Sequence, residues 1–219
     1  MGYRWDFTAI VRFPKWWLNA IGITLLYSVG TVVGGMIVGV ICGVALLSHR
    51  RWVTAPIYGY VELFRCTPLL VQIVWFYYAL PIILNYSLPA WLASALGFTL
   101  YQGAFCAEIF RGGVMSIDRG QWQAARALGM TYGQLMRHII LPQATRRMVP
   151  PFVNQAVMQL KNTSLLYVVA VPDLMYTSSL IVGATYRPLE VYTFVALLYF
   201  LLLYPATVFS KRLEQRFDR

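Results

Sequence analysis

Polar residues between positions 149 and 171 interrupt a long apolar segment of the sequence. Gln155, Gln159 and Asn162 follow one another at i, i+4 and i+7, so on a helix they form one row on one face. Amide side chains in such a row can line a path for a polar solute, or they can hydrogen-bond neighbouring helices together. The sequence leaves both readings open.

Other polar residues are candidates for the same path because they share this segment or could face it from another helix. Lys161 is costly at bilayer depth unless paired or hydrated, so it is a candidate gate, substrate contact or partner of Glu108 or Asp173. No acid lies between Met148 and Pro172, which favours an acidic or neutral solute over a cationic one. The candidate pathway residues are Thr67, Gln72, Asn154, Gln155, Gln159, Lys161, Asn162, Thr163 and Ser164.

Catalysis finds little support in the sequence. None of its three lysines follows a glycine, so it lacks the glycine-rich loop that binds the phosphates of ATP. His49 and His138 fall in expected loops rather than in spans, which disfavours an intramembrane protease and a haem site. We expect no catalytic residue, no metal site and no cofactor bound by this chain.

The cysteines also point away from a metal or redox centre. Cys42, Cys66 and Cys106 stand alone in apolar surroundings without a CxxC pair. We expect all three to be packing residues.

The composition indicates what must position these residues. Of 219 residues, 59% are hydrophobic and only 12% are charged, which excludes a soluble or disordered chain and predicts an all-α, polytopic membrane protein. We expect one domain over residues 1–219 with five transmembrane helices. The predicted spans are residues 16–48, two helices within 66–107 separated by a turn with Pro81, Asn85 and Pro89, residues 149–171, and residues 191–210.

The net charge of +10 could indicate nucleic acid, acidic lipid or membrane topology, and the positions of the bases decide between them. Most bases lie in residues 49–65, 111–148 and 211–219, which fall on one side of the predicted bundle. The positive-inside rule therefore predicts a cytoplasmic C-terminus and an external N-terminus. We expect a lipid bilayer, and no nucleic acid, as the surroundings of the spans.

Small residues mark one face of the first span. Gly35, Gly39 and Gly43 repeat every four residues, so a second helix can approach them closely. This face could pack within the subunit or contact a second subunit.

The loop at about residues 112–148 is too long and too basic for a simple connection between helices. Residues 121–128 favour a short helix, which Gly129 can end in a left-handed conformation. Thr131 can then begin a second helix that runs to Ile139, before Pro142.

Within this loop, Gln123, Ala124, Ala125, Gly129, Ile139, Leu141 and Pro142 have the spacing of a known signature. It resembles the EAA motif of permease subunits of ATP-binding-cassette (ABC) importers, with Gln123 in place of Glu. Glu62–Gln72 and Leu160–Leu165 are similar to two further segments of the polar amino-acid subfamily, with Cys66 at a position that usually holds a smaller residue.

The resemblance implies a type I importer permease of the bacterial inner membrane whose loop docks on an ATPase. Its implied partners are a cytoplasmic ATPase dimer that binds ATP and Mg, a second permease subunit, and an extracytoplasmic amino-acid-binding protein. The implied coupling residues are Gln123, Ala124, Ala125, Arg126, Gly129, Ile139, Leu141 and Pro142. Import of glutamate, aspartate or a glutamine-like amino acid is the expected function.

A self-sufficient secondary carrier or channel is the competing class, because a polar fourth span alone would serve it equally well. A membrane enzyme is more distant, since few titratable groups lie within the expected spans. Export is possible on physical grounds, and only the resemblance of the loop favours import.

Overall fold

The computed structural model describes residues 3–217, which form helices joined by short connections, with no strand among them. The helices are α1 (Thr8–Val11), α2 (Pro14–Leu46), α3 (Arg51–Cys66), α4 (Leu69–Leu84), α5 (Ala90–Met115), α6 (Arg119–Ala127), α7 (Tyr132–Leu135), α8 (Leu141–Asn162), α9 (Leu174–Thr185) and α10 (Pro188–Phe217). A π-helical turn (Met136–Ile140) joins α7 to α8, and a 3₁₀ helix (Thr163–Val169) continues α8. The all-α prediction is confirmed.

The number of spans differs from a simple count of apolar runs. Within the described residues, two helices are long and apolar enough to cross a bilayer unaided: α2, and Pro188–Leu213 within α10. Two bent pairs could each count as one more span: α3 with α4, at 109°, and Tyr132–Val169 with α9, at 47°. This gives up to four spans by length and composition, so the predicted five are not confirmed.

Helix α3 replaces the loop that the sequence predicts for residues 49–65. Its Val61 is fully buried against α2 and α5, and the Tyr60 hydroxyl donates a hydrogen bond of 2.6 Å to the carbonyl of Leu100. The charged residues Arg51, Glu62 and Arg65 are exposed. A search for uncharged runs misses this helix because its charges share a segment with an apolar packing face.

The turn between α4 and α5 lies slightly later than the sequence predicts. Pro81 is inside α4, whose helix continues to Leu84, and Asn85 ends it with a left-handed φ of 49°. Pro89 then precedes the first residue of α5. A proline so close to the end of a helix removes one hydrogen bond without forcing the chain to turn there.

The glycine face of α2 packs within the subunit, against α5. A Cβ atom on Gly43 would lie 2.7 Å from the Cβ of Phe110, and one on Gly39 would overlap the Cβ of Cys106. The backbones of α2 and α5 therefore approach more closely than residues with side chains allow. Of the two possible partners for this face, packing within the subunit is the one observed.

The N-terminal segment is fastened to the start of α10 by the buried carboxylate of Glu190. The hydroxyl of Tyr3 donates to Glu190 at 2.5 Å, the backbone N–H of Asp6 donates at 2.9 Å, and the guanidinium of Arg187 lies 3.6 Å away. Asp6 itself accepts from the hydroxyl and backbone N–H of Thr8, which lowers the pKa of its carboxyl below the usual value.

The three cysteines occupy different environments. Cys106 is buried between α5 and α2, and Cys42 packs beside Leu46 and Val61. Cys66 is exposed, with its thiol 3.5 Å from the carboxylate of Glu62. The packing prediction therefore fails for Cys66, because α3 ends there and its last turn faces outward.

Candidate coupling site and polar pathway

The segment from α6 to α7 has the local structure that its sequence predicts. The carboxylate of Asp118 begins α6 by accepting from the N–H of Gly120 at 2.7 Å. Gly129 adopts a φ of 74°, which ends α6 in a conformation that other residues rarely adopt. Thr131 and Gln134 form a reciprocal capping box that begins α7.

The sequence predicts that the helix after Thr131 ends at Ile139, before Pro142. In the structure the helix does not end there. It continues through the π-helical turn into α8, where Pro142 lies in the first turn. The π-helical turn lies just before Pro142, which cannot donate a backbone hydrogen bond to it, so the continuous helix lacks one bond there. We call α6, α7 and the π-helical turn, residues 119–140, the candidate coupling segment; its part from α7 onward passes without a break into α8, the helix that carries the polar row.

One face of α6 packs into the core of the subunit. Ala125 is 1% exposed and contacts a cluster that also contains Leu135, Ile140 and Ala144. Ile139 and Leu141 are half-buried against the same cluster. These contacts hold α6 and α7 against the core, and Ala125 faces inward rather than towards the exposed side of α6.

The other face of α6 is open. Gln123, Ala124, Arg126 and Gly129 are exposed, as is Pro142 at the start of α8. Leu128, which sequence reasoning does not single out, is 79% exposed at the end of the helix. One side of α6 is therefore accessible over most of its length, whereas its Ala125 side is covered.

Two further contacts join α8 to neighbouring elements. The guanidinium of Arg147 on α8 donates to the backbone carbonyl and the hydroxyl of Ser116, at the end of α5. The amide of Gln143 donates to the carbonyl of Ile139 at 2.9 Å and lies 3.4 Å from the amide oxygen of Gln121. Together these bonds link α6 to α8, and α8 to the end of α5.

On α8, the amides of the polar row point towards other helices. Gln159 is fully buried, and its Nε2 lies 3.1 Å from the hydroxyl of Thr31 on α2 and 3.3 Å from the carbonyl of Phe98 on α5. The Nε2 of Gln155 donates to the amide oxygen of Gln102 at 3.1 Å.

Asn154, on the neighbouring face of α8, accepts from Ser210 of α10 at 2.7 Å. Helix-to-helix bonding thus accounts for Gln155, Gln159 and Asn154 within the subunit. The sequence pattern does not identify the partners Thr31, Gln102 and Ser210, because each is an isolated polar residue in an apolar run.

The remaining candidates lie at the end of α8. Asn162 is half-buried, Thr163 is buried with its hydroxyl bonded to the carbonyl of Leu160 at 2.7 Å, and Ser164 bonds to the carbonyl of Lys161 at 3.0 Å. Lys161 is exposed and forms no ion pair with any acid whose side chain the structure describes.

The two acids that the sequence offers to Lys161 have other roles. Glu108 pairs with Arg111, and Asp173 caps α9 by accepting from the N–H of Tyr176 at 2.8 Å. The sequence allows three roles for Lys161: a gate, a substrate contact, or an ion-pair partner of Glu108 or Asp173. The structure does not contain the ion pair with either acid.

Thr67 and Gln72 lie apart from this row, at the break between α3 and α4. The Nε2 of Gln72 donates to the carbonyl of Phe64 at 2.9 Å and to the hydroxyl of Thr67 at 2.6 Å, so it caps the end of α3. A largely apolar cavity of about 570 Å³ adjoins them, with Trp75 and Phe76 in its walls. No hydrogen bond within the described residues joins Thr67 or Gln72 to the row on α8.

The described residues thus form a bent helical bundle with candidate membrane spans and with a helix pair, α6 and α7, that is partly exposed. Comparison with known proteins gives the family: residues 35–219 match the binding-protein-dependent transport system inner membrane component, and the chain belongs to it. Members are permease subunits of ABC importers and are not enzymes; a separate subunit hydrolyses ATP.

Named relatives agree with this assignment. The chain is 39% identical to a "Probable glutamine ABC transporter permease protein", GlnM, of Bacillus subtilis (strain 168), over 90% of each chain. It is 34% identical to the glutamate/aspartate import permease protein GltK of Escherichia coli O157:H7, over 98% of this chain and 99% of the relative.

Among solved structures, a crystal structure of an amino acid ABC transporter with histidines superposes with a TM-score of 0.92. The sequence identity is 29%, and the match covers 98% of this chain and 100% of the other. The type I importer permease fold is thereby confirmed.

Proposed function

We propose that this chain is the permease subunit of a bacterial importer for polar amino acids, and that its solute is acidic or neutral. Similar permeases are named for glutamine, for glutamate and aspartate, and, at 31% identity, for arginine, so the relatives support an amino-acid importer as such. The preference for an acidic or neutral solute rests on α8, which carries no acid between Met148 and Asn162. A cationic side chain held at this helix would lack a carboxylate partner. Glutamate and aspartate come first, with glutamine next.

The single observation that carries the coupling mechanism is the two-sided packing of α6. The inner face of α6 packs against the core through Ala125. The exposed residues on its outer side are Gln123, Ala124, Arg126, Leu128 and Gly129. We assign this outer side as the docking surface for one subunit of a cytoplasmic ATPase dimer, which binds ATP and Mg. Closure of the ATPase would move α6, and the continuous helix from α7 into α8 would carry the motion to the polar row.

The wider assembly follows from this role. A second permease subunit, of the same or a related sequence, completes the translocation path, and an extracytoplasmic amino-acid-binding protein delivers the solute. In this arrangement the C-terminus is cytoplasmic and the N-terminus is outside. Thr67, Gln72, Lys161 and Asn162 are the pathway candidates whose position leaves them available to a solute or to the second subunit.

The test is uptake by proteoliposomes that contain the permease, its ATPase and its binding protein. We expect ATP-dependent uptake of glutamate, aspartate or glutamine, and little uptake of arginine. High-affinity arginine or lysine uptake that is lost in Gln155→Ala would contradict the proposed solute class. Uptake that proceeds without ATPase or ATP would contradict the importer mechanism itself.

A further inference from the structure

A second cavity, of about 510 Å³, lies where the end of α2 meets the coupling segment. Its floor is apolar and includes Leu47, Phe110 and Met136, whereas Ser48, His49 and Arg50 form a polar rim. The cavity is thus amphipathic, and it is separate from both the polar row on α8 and the break between α3 and α4.

This cavity continues into an apolar strip on the outside of α2. Val33, Ile37, Val40 and Val44 are 51%, 59%, 38% and 54% exposed, and their spacing places them on one face, opposite the glycine face. Val44 belongs to both the strip and the cavity. At 1.5 Å per residue the strip is about 16 Å long. That length matches one leaflet of a bilayer whose apolar core is about 30 Å thick.

The rim of the cavity is cationic and lies beside an interfacial aromatic residue. His49, Arg50 and Arg51 are consecutive and exposed, and no acid lines the cavity. Trp52 follows them and is 94% exposed, as suits a side chain at the level of lipid headgroups. A basic rim above an apolar strip fits an anionic headgroup with an acyl chain attached.

We propose that this cavity binds one anionic phospholipid from the cytoplasmic leaflet, with its phosphate at His49 and Arg50 and an acyl chain along the strip on α2. Tyr132 and Met136 of the coupling segment also line the cavity, so the bound lipid lies between the first span and the segment proposed to dock the ATPase. The inference goes beyond amino-acid transport and rests on the proposed orientation of the chain.

The test uses the purified permease and ATPase complex in detergent, titrated with dioleoyl phosphatidylglycerol and observed by native mass spectrometry. Dioleoyl phosphatidylcholine and inorganic phosphate are titrated separately as probes of the apolar and anionic parts. We expect one phosphatidylglycerol per permease chain, with retention of phosphatidylcholine and phosphate at least about fivefold weaker.

Matched double variants locate the headgroup. His49→Gln with Arg50→Gln should weaken phosphatidylglycerol retention at least about fivefold, because each basic group near a lipid surface contributes on the order of that factor. Lys211→Gln with Arg212→Gln, another adjacent exposed pair, should change it less than about twofold. A phosphatidylglycerol with a photoreactive acyl chain should crosslink to the peptide that contains Val40 and Val44.

Several outcomes would overturn the proposal. Equal retention of phosphatidylcholine would indicate an apolar groove only, and binding of free phosphate as tight as that of lipid would indicate a small-anion site. Equal losses in both double variants would indicate general attraction to basic residues. Absence of crosslinks on α2 would indicate that another protein chain covers the strip. In each case the ATPase still co-purifies, so failure here is distinct from failure of the proposed function.

Discussion

The amide of Gln159 on α8 donates a hydrogen bond to the hydroxyl of Thr31 on α2, 128 residues earlier in the chain, and both residues are buried. The bond joins the helix that continues from the coupling segment to the helix packed most extensively against α5. Because Gln159 also reaches the carbonyl of Phe98, one side chain connects three helices. If α8 moves relative to α2 or α5, the hydrogen bonds of Gln159 to Thr31 and Phe98 must break.

A double-mutant cycle measures the connection between Gln159 and Thr31. Because hydrogen bonds between membrane helices contribute about 0.6 kcal/mol on average and up to about 1.7, Gln159→Leu and Thr31→Val should show a coupling energy in that range. The measurement is the free energy of unfolding in mixed micelles. Additive effects on stability, together with a raised KM for uptake in Gln159→Leu alone, would instead assign Gln159 to the solute path.

The contact between α2 and α5 depends on the absence of side chains at the glycine face. Gly39→Val should destabilise the subunit by at least about 1 to 3 kcal/mol, because the added carbons overlap Cys106 and the α5 backbone. Gly30→Val introduces the same residue into the same helix at a position with open space around it. Thermal unfolding of the two variants at equal temperature would contradict the observed packing.

The carboxylate of Glu190 should hold the N-terminal segment. Glu190→Ala removes the carboxylate that accepts hydrogen bonds from Tyr3 and Asp6. Loss of hydrogen bonds to a charged group should cost roughly 1.5 to 3 kcal/mol. In proteoliposomes that expose the N-terminal segment, trypsin should therefore cleave after Arg4 or Arg12 at least about tenfold faster than in the wild type. Thr193→Ala, one turn further along α10, is exposed and serves as the control. Equal cleavage rates in the two variants would show that Glu190 does not fasten the segment.

Leu128 should be a major contact of the ATPase. Leu128→Ala should weaken binding of the ATPase by about tenfold, because truncating a buried anchor at the centre of an interface costs on the order of 1 to 2 kcal/mol. Leu197→Ala, on the exposed side of α10, should leave the affinity unchanged. Equal dissociation constants for both variants, measured by titrating labelled ATPase, would remove Leu128 from the interface.

Much of the fold and of the coupling segment could be predicted because their signals are local. Gly129 and the cap at Thr131 follow from residue type and spacing, and α2 follows from an uninterrupted apolar run. Helix α3 could not be found in that way because its bases lie among apolar packing residues. Its partner Leu100 and the partners of the α8 amides are far away in the sequence.

In the candidate site, too, the features with local sequence signals could be predicted and those that depend on distant contacts could not. The spacing of Ala124 and Ala125 marks α6, but burial alone reveals that Ala125 faces inward while Leu128 faces outward. The polar row on α8 is visible as a pattern, whereas its partners Gln102 and Thr31 depend on how three helices pack. A periodic pattern identifies a face of a helix and does not identify what that face contacts.

The most direct test of the central claim is whether the outer side of α6 holds the ATPase. Ala124→Trp places a bulky residue on that exposed side, and Ala196→Trp places the same residue on the exposed side of α10. Both variants and the wild type are co-expressed with the ATPase, purified through the permease, and compared by gel filtration for fold and by mass spectrometry for bound ATPase. We predict that wild type and Ala196→Trp retain the ATPase, and that Ala124→Trp elutes as a folded permease without it. Full retention by Ala124→Trp, or a wild-type permease that purifies with no ATPase, would contradict the account.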